Sequence, residues 1–263
     1  MSATLDPPLP RRIPARCQPS DDREIARGVR LLDVEPDLGV GLTEDEFETA
    51  RRQVVLPAVS VGRGRWPTER LASAKGVRGE VQGFLLLDGL MTMDATVAGR
   101  ACSRLLGPGE LVLAQPLEAD SLSVKWSWSA LTPARLAVLD LRLALIGCHW
   151  PKLMGTIIHR AGRHTCQGML QQAVSQLPRV EDRLLALFWS IADRHGVVRA
   201  DGVWLRLPVT HDVLARMIGA RRPTVTLGLQ SLAARGLLHS TGDGWLLAPG
   251  SLDRLVPLVS SAA

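Results

Sequence analysis

Two adjacent arginines, Arg221 and Arg222, stand before a proline and a regular apolar pattern in GARRPTVTLGLQSLAARGLL, Gly219 to Leu238. The N-terminal end of a helix already carries partial positive charge, so cations gain nothing from the dipole there. They do gain if phosphates lie against that end, since backbone N–H groups and arginines then face the same anions. The neighbouring residue types extend the argument to bases. Arginine can hold guanine O6 and N7 as a bidentate pair, glutamine can do the same for adenine, and threonine can donate to phosphate or touch a thymine methyl. Arg221, Arg222, Thr224, Thr226 and Gln230 are therefore candidate nucleic-acid contacts, with Thr210 and His211 from the segment before them. Residues 210–236 hold Arg216, Arg221, Arg222 and Arg235 against Asp212 alone, so the charge points the same way.

These side chains need two helices to position them. Thr210 can cap the first, with Asp212 in its first turn and Leu214, Met217 and Ile218 on its apolar face. Gly219 ends it as a C′ glycine does. The second helix begins at Arg222-Pro223, because proline is tolerated only in a first turn. Val225, Leu229 and Leu232 form its buried face, and Gly236 ends it. Two short helices joined by a tight glycine-containing turn make a helix-turn-helix, whose second helix enters the major groove. LLHSTGDGWLLAP then reads as a β-hairpin wing. Winged helices that bind protein carry the same pattern, so a ligand-binding or protein-interaction module that no longer binds DNA is the competing reading.

Upstream, residues 53 to 140 read as β-structure. VQGFLLLDGLMTM places an Asp88-Gly89 turn between apolar runs, and RACSRLLGPGELVLAQP ends a strand at Gly107-Pro108-Gly109. SLSVKWSWSAL alternates Leu122, Val124, Trp126 and Trp128 inward. Many short strands separated by turns suggest a sandwich, jelly roll or barrel. Trp126 and Trp128 share one sheet face, where they either pack the core or line a pocket. After Trp150-Pro151 a helix runs more than 20 residues to Pro178. Met154, Ile157, Ile158, Ala161, Thr165, Gly168, Met169 and Gln172 mark a narrow seam on it, close to heptad spacing. Such a seam seeks a partner helix, and the small Ala161 and Gly168 allow close approach. A single helix lying on its own β-domain is the alternative. VEDRLLALFWSIADRHG is a further helix with Leu184, Leu187, Phe188 and Ile191 on one face.

Composition narrows the classes. The 263 residues are 46% hydrophobic and 22% charged, with 31 Lys+Arg against 26 Asp+Glu for a net charge of +5, which suits a globular chain and permits a polyanionic partner. Cys17, Cys102, Cys148 and Cys166 are scattered, with no CxxC pair, arguing against a disulfide framework, a zinc ribbon or an iron–sulfur cluster. His159, His164 and Cys166 sit at poor chelating offsets on a helix, so no metal and no cofactor is expected. No GxSxG, P-loop, GxGxxG or HExxH is present, so the chain does not read as an enzyme. No apolar run reaches the roughly 18 residues of a membrane helix, and the Pro- and Arg-rich residues 1–22 lack a signal-peptide core. The expectation is a cytoplasmic protein with a flexible N-terminal tail.

Taken together, VTHDVLARMIGARRPTVTLGLQSLAARGLL, LLGPGEL and PRVEDRLLALFWSIADRHG resemble the Crp/Fnr superfamily of bacterial transcription regulators over roughly residues 30–258. GARRPTVT, VEDRLLALFW and VKWSW look like an actinobacterial-type branch of it. The resemblance implies an α+β fold in four parts: a tail at 1–22, a β-jelly roll resembling a cyclic-nucleotide-binding domain at 23–140, a linker and long dimerisation helix at 141–177, and a winged helix-turn-helix at 178–263. It implies a homodimer on double-stranded DNA bearing an inverted repeat, with RNA polymerase as a further candidate partner. Arg222 matches the family's guanine-contacting arginine. Pro223 and Leu227 stand where the familiar pattern has Glu and a second Arg, so the operator should differ from the best-known consensus. Cyclic-AMP binders of the family place an Arg-Ser or Arg-Thr pair where this chain has LEADSLSVKW. Glu118 and Asp120 there would repel a phosphate, and a buried anion without its arginine is costly. Control by cAMP is therefore not expected. Glu110 could still hold a ribose hydroxyl, and Glu110, Trp126 and Trp128 are the candidate effector pocket.

Overall fold

Four consecutive apolar residues, Phe84 to Leu87 in GFLLLD, have no polar alternation, which demands a strand covered on both faces. The computed structural model, which describes residues 28–67, 76–113, 123–242 and 244–255, gives Gly83–Asp88 that position. The expected tail at 1–22 and the residues Glu118, Asp120, Ser121 and Leu122 lie outside the described residues.

The N-terminal half is a pair of facing antiparallel sheets. Strands β1 (Val29–Arg30) and β2 (Val55–Leu56) pair at one edge. The first large sheet has the order β3 (Ala58–Val61), β10 (Ala134–Leu139), β5 (Gly83–Asp88), β8 (Leu111–Leu113). The second has the order β4 (Gly64–Trp66), β9 (Lys125–Ala130), β6 (Met91–Val97), β7 (Arg100–Leu106). Between them Phe84, Leu86, Leu136 and Val138 of the first meet Trp66, Met91, Leu106 and Trp128 of the second. Phe84 takes both tryptophans edge-on, with centroids 5.8 Å and 5.4 Å away, the T-shaped geometry that ring quadrupoles favour.

Leu85, Leu87, Ala137 and Leu139 face the opposite way, and helices cover them. Those helices are α1 (Leu31–Val34), α2 (Glu44–Gln53), α3 (Leu141–Gly147) and the start of α4 (Pro151–Gln176). Helix α2 begins with a reciprocal capping box: the Thr43 hydroxyl accepts from Glu46 N–H, and the Glu46 carboxylate accepts from Thr43 N–H at 2.8 Å. Asp140 caps α3, with its side chain fully buried and accepting from Arg78 N–H and the Arg142 guanidinium. Burial pushes its carboxyl up, but those donors outweigh it and leave it below the ordinary aspartate range.

The long helix differs from the sequence expectation. Leu153 and Ile157 are buried in the chain's own core, with Met154 and Ala161 packed against it. Met154, Ile157 and Ala161 therefore belong to the β-domain rather than to a free seam. The face left in solvent carries Ile158 (67% exposed) and Met169 (69% exposed), with Gly155, Gly162 and Thr165 in register. The helix therefore lies on its own β-domain along one side and leaves a second, partly apolar stripe in solvent on the other.

The C-terminal third begins with α5 (Val180–His195). A four-stranded antiparallel sheet follows in the order β11 (Val197–Arg199), β12 (Gly202–Leu205), β14 (Gly244–Leu247), β13 (Leu238–Thr241), with α6 (His211–Ile218) and α7 (Arg222–Ala234) between its hairpins. Leu184, Phe188, Leu214, Ile218, Val225 and Trp245 share one core.

Candidate nucleic-acid interface

Helix α6 is set by both of its ends. The Thr210 hydroxyl accepts from Val213 N–H at 3.3 Å, and Gly219, at φ +67°, provides the left-handed residue that lets the chain turn. Three residues later α7 begins with Pro223 in its first turn. No side chain among the described residues caps that turn, and none in it is acidic. Its unpaired N–H groups therefore point outward beside the exposed Arg221 and Arg222, an arrangement suited to phosphate.

The register of α7 decides what faces solvent. Val225, Gly228, Leu229 and Leu232 are buried against α5 and α6. Gly228 permits that approach, since a Cβ there would lie 3.0 Å from the Leu184 side chain. Pro223, Thr224, Leu227 and Gln230 then face outward with the two arginines. Thr226 does not join them freely. Its hydroxyl donates to the Arg222 carbonyl at 3.1 Å and lies 2.9 Å from His211 Nδ1. With its proton committed to the carbonyl, it accepts from an Nδ1–H imidazole. Thr226 and His211, both half-buried, thus brace α7 against α6, while Thr210 caps α6 and remains exposed.

Behind the two helices, the wing sheet includes a hairpin the sequence reading did not identify, β11–β12 in VVRADGVWL. Arg199 stacks on Trp204 at 4.2 Å from the ring centre, and Trp204 Nε1 donates to Thr241 Oγ1 at 3.3 Å across to the second hairpin. The signal was present in its Asp201-Gly202 turn.

Residues 179–255 match the family model of the Crp-like helix-turn-helix domain. The C-terminal unit is a Crp-like helix-turn-helix domain. The whole-chain fold, a β-rich domain ahead of the Crp-like domain, is also that of several solved structures. Similar solved structures include a cyclic nucleotide-binding domain containing protein from Listeria monocytogenes EGD-e, at 12% identity over 83% of this chain and 97% of that one, TM-score 0.59. A CooA mutant from Carboxydothermus hydrogenoformans matches at 15% identity over 77% and 87%, TM-score 0.58. FixK2 from Bradyrhizobium japonicum matches at 17% over 78% and 98%, TM-score 0.54. At such identities the likeness is one of fold. No curated protein sequence matches the chain.

The Crp-like domain is docked on the jelly roll. On β7, Ser103 and Leu105 face α6 while Leu106 faces the jelly-roll core. Arg216 Nε donates to Ser103 Oγ at 2.8 Å, and Gln171 of α4 bridges the carbonyls of Ser103 and Met217. Glu110 is tied into the same contact: its carboxylate accepts from Gly107 N–H at 2.8 Å and pairs with Arg194 of α5.

Glu110, Trp126 and Trp128 therefore do not form one pocket. Trp128 is core, at 2% exposed, because β9 runs it between the sheets. Trp126 lies two residues nearer the strand end, past the edge of that core, and is 38% exposed. It lines a groove of about 920 Å³ between the β6–β7 hairpin, α4 and α6, with Met93, Cys102, Gly168 and Ala215. Glu110 lines a separate and smaller cleft with Glu35, Arg160 and His195. Burial pulls Arg104, which bonds Gln167 of α4, down to about 10, so it stays protonated at neutral pH. Among the described residues no cluster of His, Cys, Asp or Glu could hold a metal, and no helix is long and apolar enough to cross a membrane.

Proposed function

We propose that this chain is a sequence-specific transcription regulator that binds an inverted-repeat operator as a homodimer and does not require cAMP. The observation carrying the reading is the uncapped N-terminal turn of α7, with Arg221 and Arg222 exposed and its register held by His211 and Thr226. Such an end offers phosphate its N–H groups and offers base edges Arg222, Thr224 and Gln230.

The outer face of α4 supports dimerisation. Gly155, Ile158, Gly162, Thr165 and Met169 follow alternating steps of three and four, the spacing of a helix-pair seam. A Cβ at Gly155 or Gly162 would meet nothing within 4 Å, so a second backbone has room there. Pairing of α4 with its copy would relate two α7 helices by a two-fold and set half-sites about 34 Å apart. Thr165 and Gly168 fall on or beside this seam. Independence from cAMP is supported by Glu110, which already serves Gly107 and Arg194 and is not free for a ribose. An effector of other chemistry would have the Trp126 groove, whose walls come from the jelly roll, α4 and α6. RNA polymerase is the expected further partner at the promoter.

The test is selection of genomic DNA fragments on the purified chain without added small molecule, followed by footprinting. A protected inverted repeat, lost in Arg222→Ala, is the expected result. Binding that is sequence-blind and falls steeply with salt in both proteins would overturn the assignment.

A further inference from the structure

Leu227 is a large apolar side chain at the centre of the exposed face of α7, and 66% of it is in solvent. Nothing in the core needs it, since Val225, Leu229 and Leu232 already form the buried face. Pro223 lies one turn before it and is also exposed, so the two make an apolar ridge with Arg222 at one end and Gln230 at the other. An exposed leucine between polar readers is a poor choice for solubility alone. In the major groove an apolar group has one base partner of matching chemistry, the 5-methyl group of thymine; the other base edges present hydrogen-bonding atoms that it would leave unsatisfied.

We propose that Leu227, with Pro223 beside it, selects a thymine in each half-site through its 5-methyl group, at the position between those served by Arg222 and Gln230. The inference rests on the DNA-binding reading and adds to it which kind of base this residue reads. Its register is not adjustable, because Thr226 next to it is bonded both to the Arg222 carbonyl and to His211. Leu227 therefore meets the same base step each time the helix docks.

The experiment uses the full chain and the operator recovered by selection. Each thymine in a half-site is replaced in turn by deoxyuridine, which keeps every hydrogen-bonding atom and lacks only the methyl. At one symmetric position the replacement should weaken binding about fourfold per half-site, the worth of one buried methyl group. In Leu227→Ala, thymine and deoxyuridine should bind alike at that position, while the penalty for altering the Arg222 base remains. The residue is exposed, so an unchanged thermal midpoint confirms that the variant is folded. Deoxyuridine tolerated everywhere by the parent protein, or a penalty that survives in Leu227→Ala, overturns the proposal while leaving DNA binding intact. A parent protein that selects no operator overturns both.

Discussion

Leu105 and Leu106 are neighbours on β7 that point into different cores, and this allows the docked arrangement to be tested in solution. Leu105 is 2% exposed and belongs to the C-terminal core with Phe188 and Leu214, although it lies on a jelly-roll strand. Truncating a leucine so enclosed costs roughly 2–5 kcal/mol, set by how far the site can collapse. If the Crp-like domain instead left β7 in solution, Leu105 would lie on an open sheet face, and its truncation would cost within about 0.5 kcal/mol. Urea unfolding followed by tryptophan fluorescence distinguishes the two, because Trp189 and Trp245 report on one core and Trp66 and Trp128 on the other. With a slope of about 2 kcal/mol per molar, a loss of about 3 kcal/mol moves the midpoint down by about 1.5 M. Leu106→Ala is the control, since its core is intact whether or not the domains dock. A Leu105→Ala shift below about 0.3 M, beside a large shift for Leu106→Ala, would refute the docked arrangement.

Other consequences are open to measurement. If α4 pairs with its copy as proposed, Ile158→Glu with Met169→Glu should leave the protein monomeric by light scattering, against a dimer for the parent, and weaken binding to a selected DNA site by at least tenfold, with the thermal midpoint within a few degrees. Gly228→Val should lower the midpoint substantially, because the added side chain meets Leu184 and Val180 of α5 and forces the reading helix outward. His195 is packed against Gly107, and its Nε2 finds no hydrogen-bond partner among the described residues; burial, reinforced by Arg194, pulls its pKa below the usual histidine range. The unfolded chain therefore binds this proton more readily than the folded one. Stability should be level above neutrality and fall as pH drops below about 6.5, levelling again under the folded pKa; pH-dependent melts of His195→Gln should lack that component.

Much of the C-terminal site is legible in the sequence because it is built from local signals. Thr210, Gly219, Pro223 and Gly236 each enforce a backbone state whatever surrounds them, so the two helices and their limits follow from residue type. The same holds for the Asp88-Gly89 turn and for the capping box at Thr43 and Glu46. What failed to show are choices made by tertiary contact. Periodicity places Trp126 and Trp128 on one face, yet only distance along the strand from the sheet edge separates core from groove. Heptad spacing on α4 cannot say which of two adjacent stripes meets the chain's own sheet, so Met154 and Ile157 were indistinguishable from Ile158. Glu110 reads as a ligand-binding residue until Arg194, far away in sequence, is brought against it.

The split allegiance of β7 bears on how such proteins can be recombined. A strand that contributes alternate residues to two cores makes the DNA-reading part an incomplete object when it is cut away at the start of α5. The isolated fragment would carry an unfilled hollow where Leu105 sat and an Arg216 that keeps its pair with Asp212 but loses its bond to Ser103. Chimeras that graft this reading part onto another β-domain should therefore carry a matching pair on the host's corresponding strand, a small hydroxyl residue and a leucine two positions on. Without that pair, the graft can keep its reading surface and still lack the contacts that hold it to the domain it is joined to.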